Sequence, residues 1–166
     1  MFNKGDMMIY SSHGICLVDD ICSNRFQGVD KDYYVLHPIA DRKLTIRIPV
    51  DNKSVTMLEL IEEEEAEKII DSFSKPGRSW IEINNERNQI YSETVRTGNR
   101  KDIAAIVNTL MRRKYSAEQA GRKFSDKDRK LLNVVQGILF TELAISLSTT
   151  FDVVNERVTA LLANEA

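Results

Sequence analysis

The sequence predicts an α+β fold in two successive parts, a small antiparallel β-barrel and then an all-α domain. Two observations predict it. The spacing of apolar residues changes from alternate positions to a helical period near Leu58, and the sign of the charge changes soon after. Residues 1–74 hold 8 Lys/Arg against 14 Asp/Glu, a net of −6, while residues 75–166 hold 15 against 11, a net of +4. The composition fits this reading. With 166 residues, 42% hydrophobic and 29% charged, the chain can fill one compact domain or two small ones and is not disordered by default.

The strands come first. DMMIY (6–10) leads through SSHG, where Ser11, Ser12 and Gly14 mark a turn, into GICLVDD (14–20). YYVLHPI (33–39) and KLTIRIPV (43–50) follow after the turn-rich FQGVDK and ADRK. Short strands at close spacing suggest a barrel of the SH3 or Tudor type. Val55 and Met57 could add a last strand. Within LTIRIPVDN (44–52), Leu44, Ile46 and Ile48 point to one face and Thr45 and Arg47 to the other. Pro49 lacks a backbone donor, so this strand belongs at a sheet edge.

The helices follow. LELIEEEEAEKIIDSF spaces Leu58, Ile61, Ala66, Ile69, Ile70 and Phe73 as one helical face, and SKPGRS (74–79) breaks it with Pro76 and Gly77. The expected division is therefore 1–57 as the β domain, 58–79 as an acidic helix and linker, and 80–166 as the helical domain. The next helix is expected from about Ile81 to Thr97, stopped by Gly98, and another from Asn99 or Arg100. Ser125 and Asp128 resemble a capping box ahead of a long apolar stripe, and Asp152 is placed to cap the last helix.

No strong catalytic signature is present: no P-loop, G-x-G-x-x-G, G-x-S-x-G or H-E-x-x-H. His13 with Cys16 and Cys22 makes a poor zinc set and no disulfide framework, so neither metal nor cofactor is expected. These residues read more simply as a turn histidine and small strand residues. Glu62–Glu65 lie on one helix, where they mostly face water. There is no run of 18 apolar residues, and the opening MFNKGDMMIY has no long apolar region of a signal peptide, so the expectation is a cytoplasmic protein that does not enter a membrane.

The basic residues are more informative. Residues 96–130 hold 11 Lys/Arg against 4 Asp/Glu. Arg112-Arg113-Lys114, Arg122-Lys123 and Lys127-Arg129-Lys130 flank a helix–loop–helix. Such groups can bind phosphates without reading sequence, and the bland alternative is a solvated face. Trp80, the only tryptophan, follows a turn. It either packs at a domain junction or wedges against DNA.

FNKGDMMIYSSHGICLVDDI, YYVLHPIADRKLTIRIPVDN, TGNRKDIAAIVNTLMRRK and FSDKDRKLLNVVQGILFTELA together resemble the CarD/CdnL family of bacterial RNA polymerase-binding transcription regulators. The first two also resemble the polymerase-interacting module of transcription-repair coupling factors. The resemblance implies a Tudor-like N-terminal domain that binds the polymerase β subunit. It also implies a helical domain that touches promoter DNA, largely without sequence preference, near the upstream edge of the bubble. It makes the protein a non-enzymatic regulator of open-complex formation and lifetime, associated with the nucleoid through polymerase. The family's polymerase-contacting arginines fall at Arg25 and Arg47, with Thr45 and Pro49 beside the second. Counting back from Thr97-Gly98, the family's DNA-wedging tryptophan falls at Asn84 and a nearby basic position at Arg87, while Trp80 lies four residues earlier. The expected DNA set is Trp80, Asn84, Arg87, Arg112, Arg113, Lys127, Arg129 and Lys130. The expected state is a monomer, with a strand-swapped dimer left open. Two rivals stand beside this reading: a protein–protein adaptor without DNA contact, and an enzyme or thiol sensor using Cys16, Cys22 and His13.

Overall fold

A computed structural model describes residues 1–10 and 13–163. The expected Ser11-Ser12 turn lies outside the described residues. The chain divides into two compact units, Met1–Leu60 and Ile61–Ala166.

The first unit is a five-stranded antiparallel sheet. Its strands are β1 (Met7–Tyr10), β2 (Gly14–Phe26), β3 (Val29–Pro38), β4 (Ile46–Pro49) and β5 (Met57–Glu59), in the order β4-β3-β2-β1-β5. Among the described residues, β4 and β5 are therefore the edges. Alternate residues of neighbouring strands turn to one face, and Met8, Cys16, Val18, Tyr34, Leu36 and Ile48 form its core. The pairing of β2 with β3 shifts between Val18 and Asp20, where Asp19 bulges out. The bulge lets Val18 and Ile21, an odd number of residues apart, both pack on that core. Beyond it, β2 and β3 continue as a two-stranded ribbon turned by Gln27 and Gly28, both at positive φ (50° and 79°). Two consecutive left-handed residues make the mirror-image turn whose twist suits a two-residue hairpin.

The second unit packs α1 (Glu63–Asp71), a 3-10 turn (Ser72–Ser74), α2 (Asn84–Arg96), α3 (Arg100–Gln119), α4 (Asp126–Ser146) and α5 (Phe151–Ala163) around one apolar core. The acidic run has a local explanation. Glu63, Glu64 and Glu65 form the first turn of α1, where carboxylates meet the positive end of the helix dipole. Helix α3 starts where expected, and Asn99 caps it, its side chain accepting from the Asp102 N–H at 3.1 Å.

Several expectations are corrected. Residues 57–59 pair with β1 as strand β5, so the helix starts at Glu63 rather than Leu58. The acidic helix packs with the helices that follow, Ala66, Ile69 and Ile70 being buried in their shared core. Helix α2 starts at Asn84 rather than near Ile81. Ser125 precedes α4, but its side chain makes no cap hydrogen bond and the Asp128 carboxylate is held by Arg87, so no capping box forms. At α5 the cap is Thr150, whose Oγ1 accepts from the Val153 N–H at 3.2 Å, not Asp152.

The SKPGRS segment, expected to break a helix and to link the domains, is stitched to α3. Asn108 Nδ2 donates to the Lys75 carbonyl at 2.8 Å, Thr109 Oγ1 to the Arg78 carbonyl at 2.7 Å, and the Arg78 N–H to the Ala105 carbonyl at 3.2 Å. Gly77 sits between these bonds. A Cβ there would lie 2.5 Å from the Ala105 carbonyl oxygen and 2.8 Å from the Thr109 nitrogen, both backbone atoms of α3. Gly77→Ala should therefore push the segment off the helix and cost roughly 1–3 kcal/mol. Chemical denaturation followed by helical circular dichroism checks this; an unchanged midpoint would show that the segment gives way freely.

Candidate functional site

The sheet exposes a basic edge. Arg47 and Thr45 are exposed, Ile48 is buried beneath, and Pro49 lies half-buried opposite Tyr33. Among the described residues, strand β4 pairs with β3 alone, so its outer side is an open sheet edge. Arg25 lies elsewhere, on the protruding ribbon, with its guanidinium 3.9 Å from Asp30. Both of those side chains are about three-quarters exposed, so this ion pair adds little. Register separates the two arginines. Arg47 pairs with Val35 and Arg25 with Asp30, five positions apart on β3. An odd separation puts them on opposite faces of the pleat, roughly 17 Å apart along the strand.

Cys16 is buried in the sheet core. Burial pushes the Cys16 thiol up to about 11, so it is neutral at physiological pH. Among the described residues, no group of three or more His, Cys, Asp or Glu side chains could hold a metal ion. No single helix among them is long and apolar enough to cross a membrane.

In the helical unit Arg87, Arg113, Arg122 and Lys123 gather beside Trp80. The stitched segment ends at Ser79, whose carbonyl accepts the Tyr91 hydroxyl proton at 2.8 Å. That bond delivers Trp80 half-buried onto the helical core. Two guanidinium groups lie over its indole, Arg87 at 4.0 Å and Arg113 at 4.6 Å from the ring centroid. A cleft of about 730 Å³ opens beside them, lined by Trp80, Arg113, Arg122, Lys123, Phe124 and Asp126 among others.

Arg87 was expected at the DNA surface. It is instead 1% exposed. Its Nε and Nη2 donate to the Asp128 carboxylate at 3.0 and 2.5 Å, and Nη1 to the Ile81 carbonyl at 2.6 Å. Nη2 also donates to Asn84 Oδ1 at 2.6 Å. Arg87 thus joins α2 to the start of α4 and steadies the indole, and Asn84 helps hold it. Arg112 is also engaged, donating to Asn108 Oδ1 at 2.6 Å and the Phe73 carbonyl at 2.8 Å. The outward cations are different residues. Lys130 is exposed, as is Lys127, whose Nζ donates to Asn85 Oδ1 at 2.7 Å. Arg129 lies over the Phe124 ring at 5.7 Å. Arg122 and Lys123 belong to the basic run visible in the sequence, but only the structure groups them with Arg113.

The chain is thus built of two modules, a sheet with Arg47 exposed on an edge strand and a helical unit with a cluster of basic residues beside Trp80. The modules match two family descriptions in the same order. Residues 2–61 match "CarD-like/TRCF RID domain", and residues 68–159 match "CarD, C-terminal domain". The chain belongs to the CarD family. It is also similar to the protein named "Putative transcription factor YdeB" of Bacillus subtilis (strain 168), 24% identical over 150 residues, covering 87% of this chain and 92% of that one. Together these comparisons support a role in transcription regulation.

Arg87→Ala would strand the buried Asp128 charge and remove a cation from the indole. It should cost about 3–5 kcal/mol of stability. A thermal melt of the whole chain checks this, and a loss below 1 kcal/mol would return Arg87 to the list of surface contacts.

Proposed function

We propose that this chain is a non-enzymatic regulator that binds the β subunit of bacterial RNA polymerase through β4 and touches promoter DNA through its helical unit. The observation that carries the reading is the open edge of β4 with an exposed Arg47 on it. Such an edge can accept a partner strand, and a guanidinium beside it can pair with a carboxylate of that partner. Thr45 and Pro49 flank the same edge. Arg25, on the other face of the pleat, would meet a different part of the partner.

The DNA contribution is electrostatic. Arg113, Lys127, Arg129 and Lys130 would meet phosphates, with no side-chain set suited to reading bases. Trp80 would lie near the duplex, but as an indole held by arginines rather than a free wedge. The mechanism is linkage. A protein that binds the open promoter complex better than the closed one shifts the population toward open. A preference of about 1.4 kcal/mol changes that ratio tenfold, so weak contacts suffice. Attachment to polymerase raises their local concentration further.

One observation favours a pure adaptor as the second reading. Arg87 and Arg112, two of the expected DNA residues, are engaged within the fold. Binding to a bubble-containing duplex separates the readings, because only a DNA-contacting protein releases counterions from it.

Arg47→Glu should weaken binding to the isolated β-subunit lobe by more than the roughly 1.5–3 kcal/mol of one charge-assisted contact, with the melting temperature unchanged. Undiminished capture of the lobe in a pull-down would remove β4 from the interface. Neutralising Arg113, Lys127 and Lys130 together should lower DNA affinity equally on unrelated sequences and flatten its salt dependence, while polymerase binding survives. A titration series at several salt concentrations measures this, and an unchanged slope would make these residues a solvated face.

A further inference from the structure

The tip of the β2–β3 ribbon exposes apolar side chains to water. Phe26 and Val29 pair directly across the two-residue turn and are 67% and 57% exposed. Directly opposite residues share a face, so the two form one apolar cap. Register places that cap on the face that carries Arg47. Arg47 pairs with Val35, and Val35 lies six positions from Val29 on β3, an even number. Arg25 and Asp30 occupy the opposite face. Between Arg47 and the tip the shared face presents Tyr33 and Pro49, half-buried, and then Asn24 and Lys31, exposed.

The fold itself does not call for an aromatic there. The left-handed backbone of Gln27 and Gly28 sets the turn, and neither Phe26 nor Val29 belongs to the sheet core. The edge of the sheet does lead there. Pairing of β4 with β3 ends at Tyr33, with one further bond from the Val50 N–H to the Asp32 carbonyl at 2.9 Å. Among the described residues, the open edge therefore steps from β4 onto β3 and runs on to the turn. A stable protein interface covers roughly 800 Å² on each partner, a patch about 16 Å in radius. Centred on Tyr33, such a patch takes in Arg47, about 7 Å along the strand, and the cap, about 13 Å the other way. The ribbon carries Asp20, Asp30 and Asp32 against Arg25 and Lys31, all exposed, so it offers no net attraction to an anionic lipid surface or a nucleic acid.

We propose that Phe26 and Val29 are an apolar anchor for the protein that docks on β4, the β-subunit lobe of RNA polymerase. This rests on the reading of β4 as the polymerase-binding edge and adds to it a contact of different chemistry. An aromatic ring on a short, tightly turned ribbon loses little freedom on docking and buries a large apolar area, the combination that concentrates binding energy in an interface. The two contacts then divide the work. Arg47, a charge at the rim, chiefly governs encounter, while the desolvated ring slows dissociation.

The double variant Phe26→Thr/Val29→Thr keeps residues that favour strands, so the melting temperature of the full chain should not change. Biolayer interferometry on the isolated β-subunit lobe should show a loss of affinity of roughly tenfold or more, carried by faster dissociation. Phe26→Leu, still apolar, should keep most of the affinity. The loss in the double variant should be as large at high salt as at low salt, whereas that of Arg47→Glu shrinks as salt rises. Undiminished affinity in the double variant overturns the proposal, and a normal loss for Arg47→Glu in the same series would leave the β4 reading standing. Loss in the double variant with no effect of Arg47→Glu removes Arg47 from the interface and keeps the anchor. A loss that fades with salt shows a contact that is not apolar and overturns the anchor, and a wild-type chain that does not bind the lobe removes both readings. Sedimentation tests the remaining occupant. Self-association that the double variant abolishes, with lobe binding unchanged, assigns the cap to a second copy of the chain and overturns the proposal.

Discussion

The buried ion pair between Arg87 and Asp128 organises the basic end of the helical unit. Two charges out of water are tolerable only when their remaining valences are filled, and here they are. The Arg87 guanidinium is shared among a carboxylate, the Ile81 backbone carbonyl and the Asn84 side chain, and it lies over the Trp80 ring. Each partner comes from a different stretch of chain: the segment before α2, α2 itself, and α4. One side chain thus sets where α2 begins, where α4 begins and where the indole rests. The cleft is the space left beside that arrangement. Burial also removes Arg87 from any ligand, so its charge orients the neighbouring groups while Arg113, Arg122 and Lys123 face outward.

Other polar pairs tie the remaining helices. Glu142 is buried and accepts two bonds from Arg100 at 3.0 and 2.9 Å. Glu67 on α1 pairs with Arg157 on α5 at 2.6 Å, and that bond holds the Glu67 carboxyl below its usual range. The folded pKa is lowered, so the stabilisation is present above the ordinary glutamate range and is lost as pH falls through the folded value.

Much of the architecture was legible in the sequence because it rests on local periodicity. The alternation around Arg47 and the loss of a donor at Pro49 together identified an edge strand, and β4 is one. Asn99 followed by a helical stripe gave the start of α3. The misreadings share one cause, tertiary partners that no window of sequence contains. Leu58 fits a helical stripe, but pairing of residues 57–59 with β1 holds it extended. Asp128 sits at a capping position, but a stronger partner forty-one residues earlier takes its carboxylate. Arg87 reads as a surface cation on a helix of low apolar content, and nothing near it announces a buried acid. Gly77 reads as a breaker, while the reason that only glycine fits there is the α3 backbone. The outward basic residues were visible as a charge run, but their grouping around Trp80 required the fold.

The first residue of the helical unit is gripped on both sides of its peptide chain. The Ile61 N–H donates to Glu142 Oε2 at 3.1 Å, and its carbonyl accepts the Ser146 hydroxyl proton at 2.7 Å. Both partners lie on α4, one turn apart. Tension arriving through Leu60 therefore loads α4 before it can peel α1 from its N-terminus. The strap converts a pull that would unzip the unit one turn at a time into one that must shear a buried carboxylate and a hydroxyl from the C-terminal turn of α4. Load passing between the two modules therefore meets its first resistance at the start of the second module rather than within it.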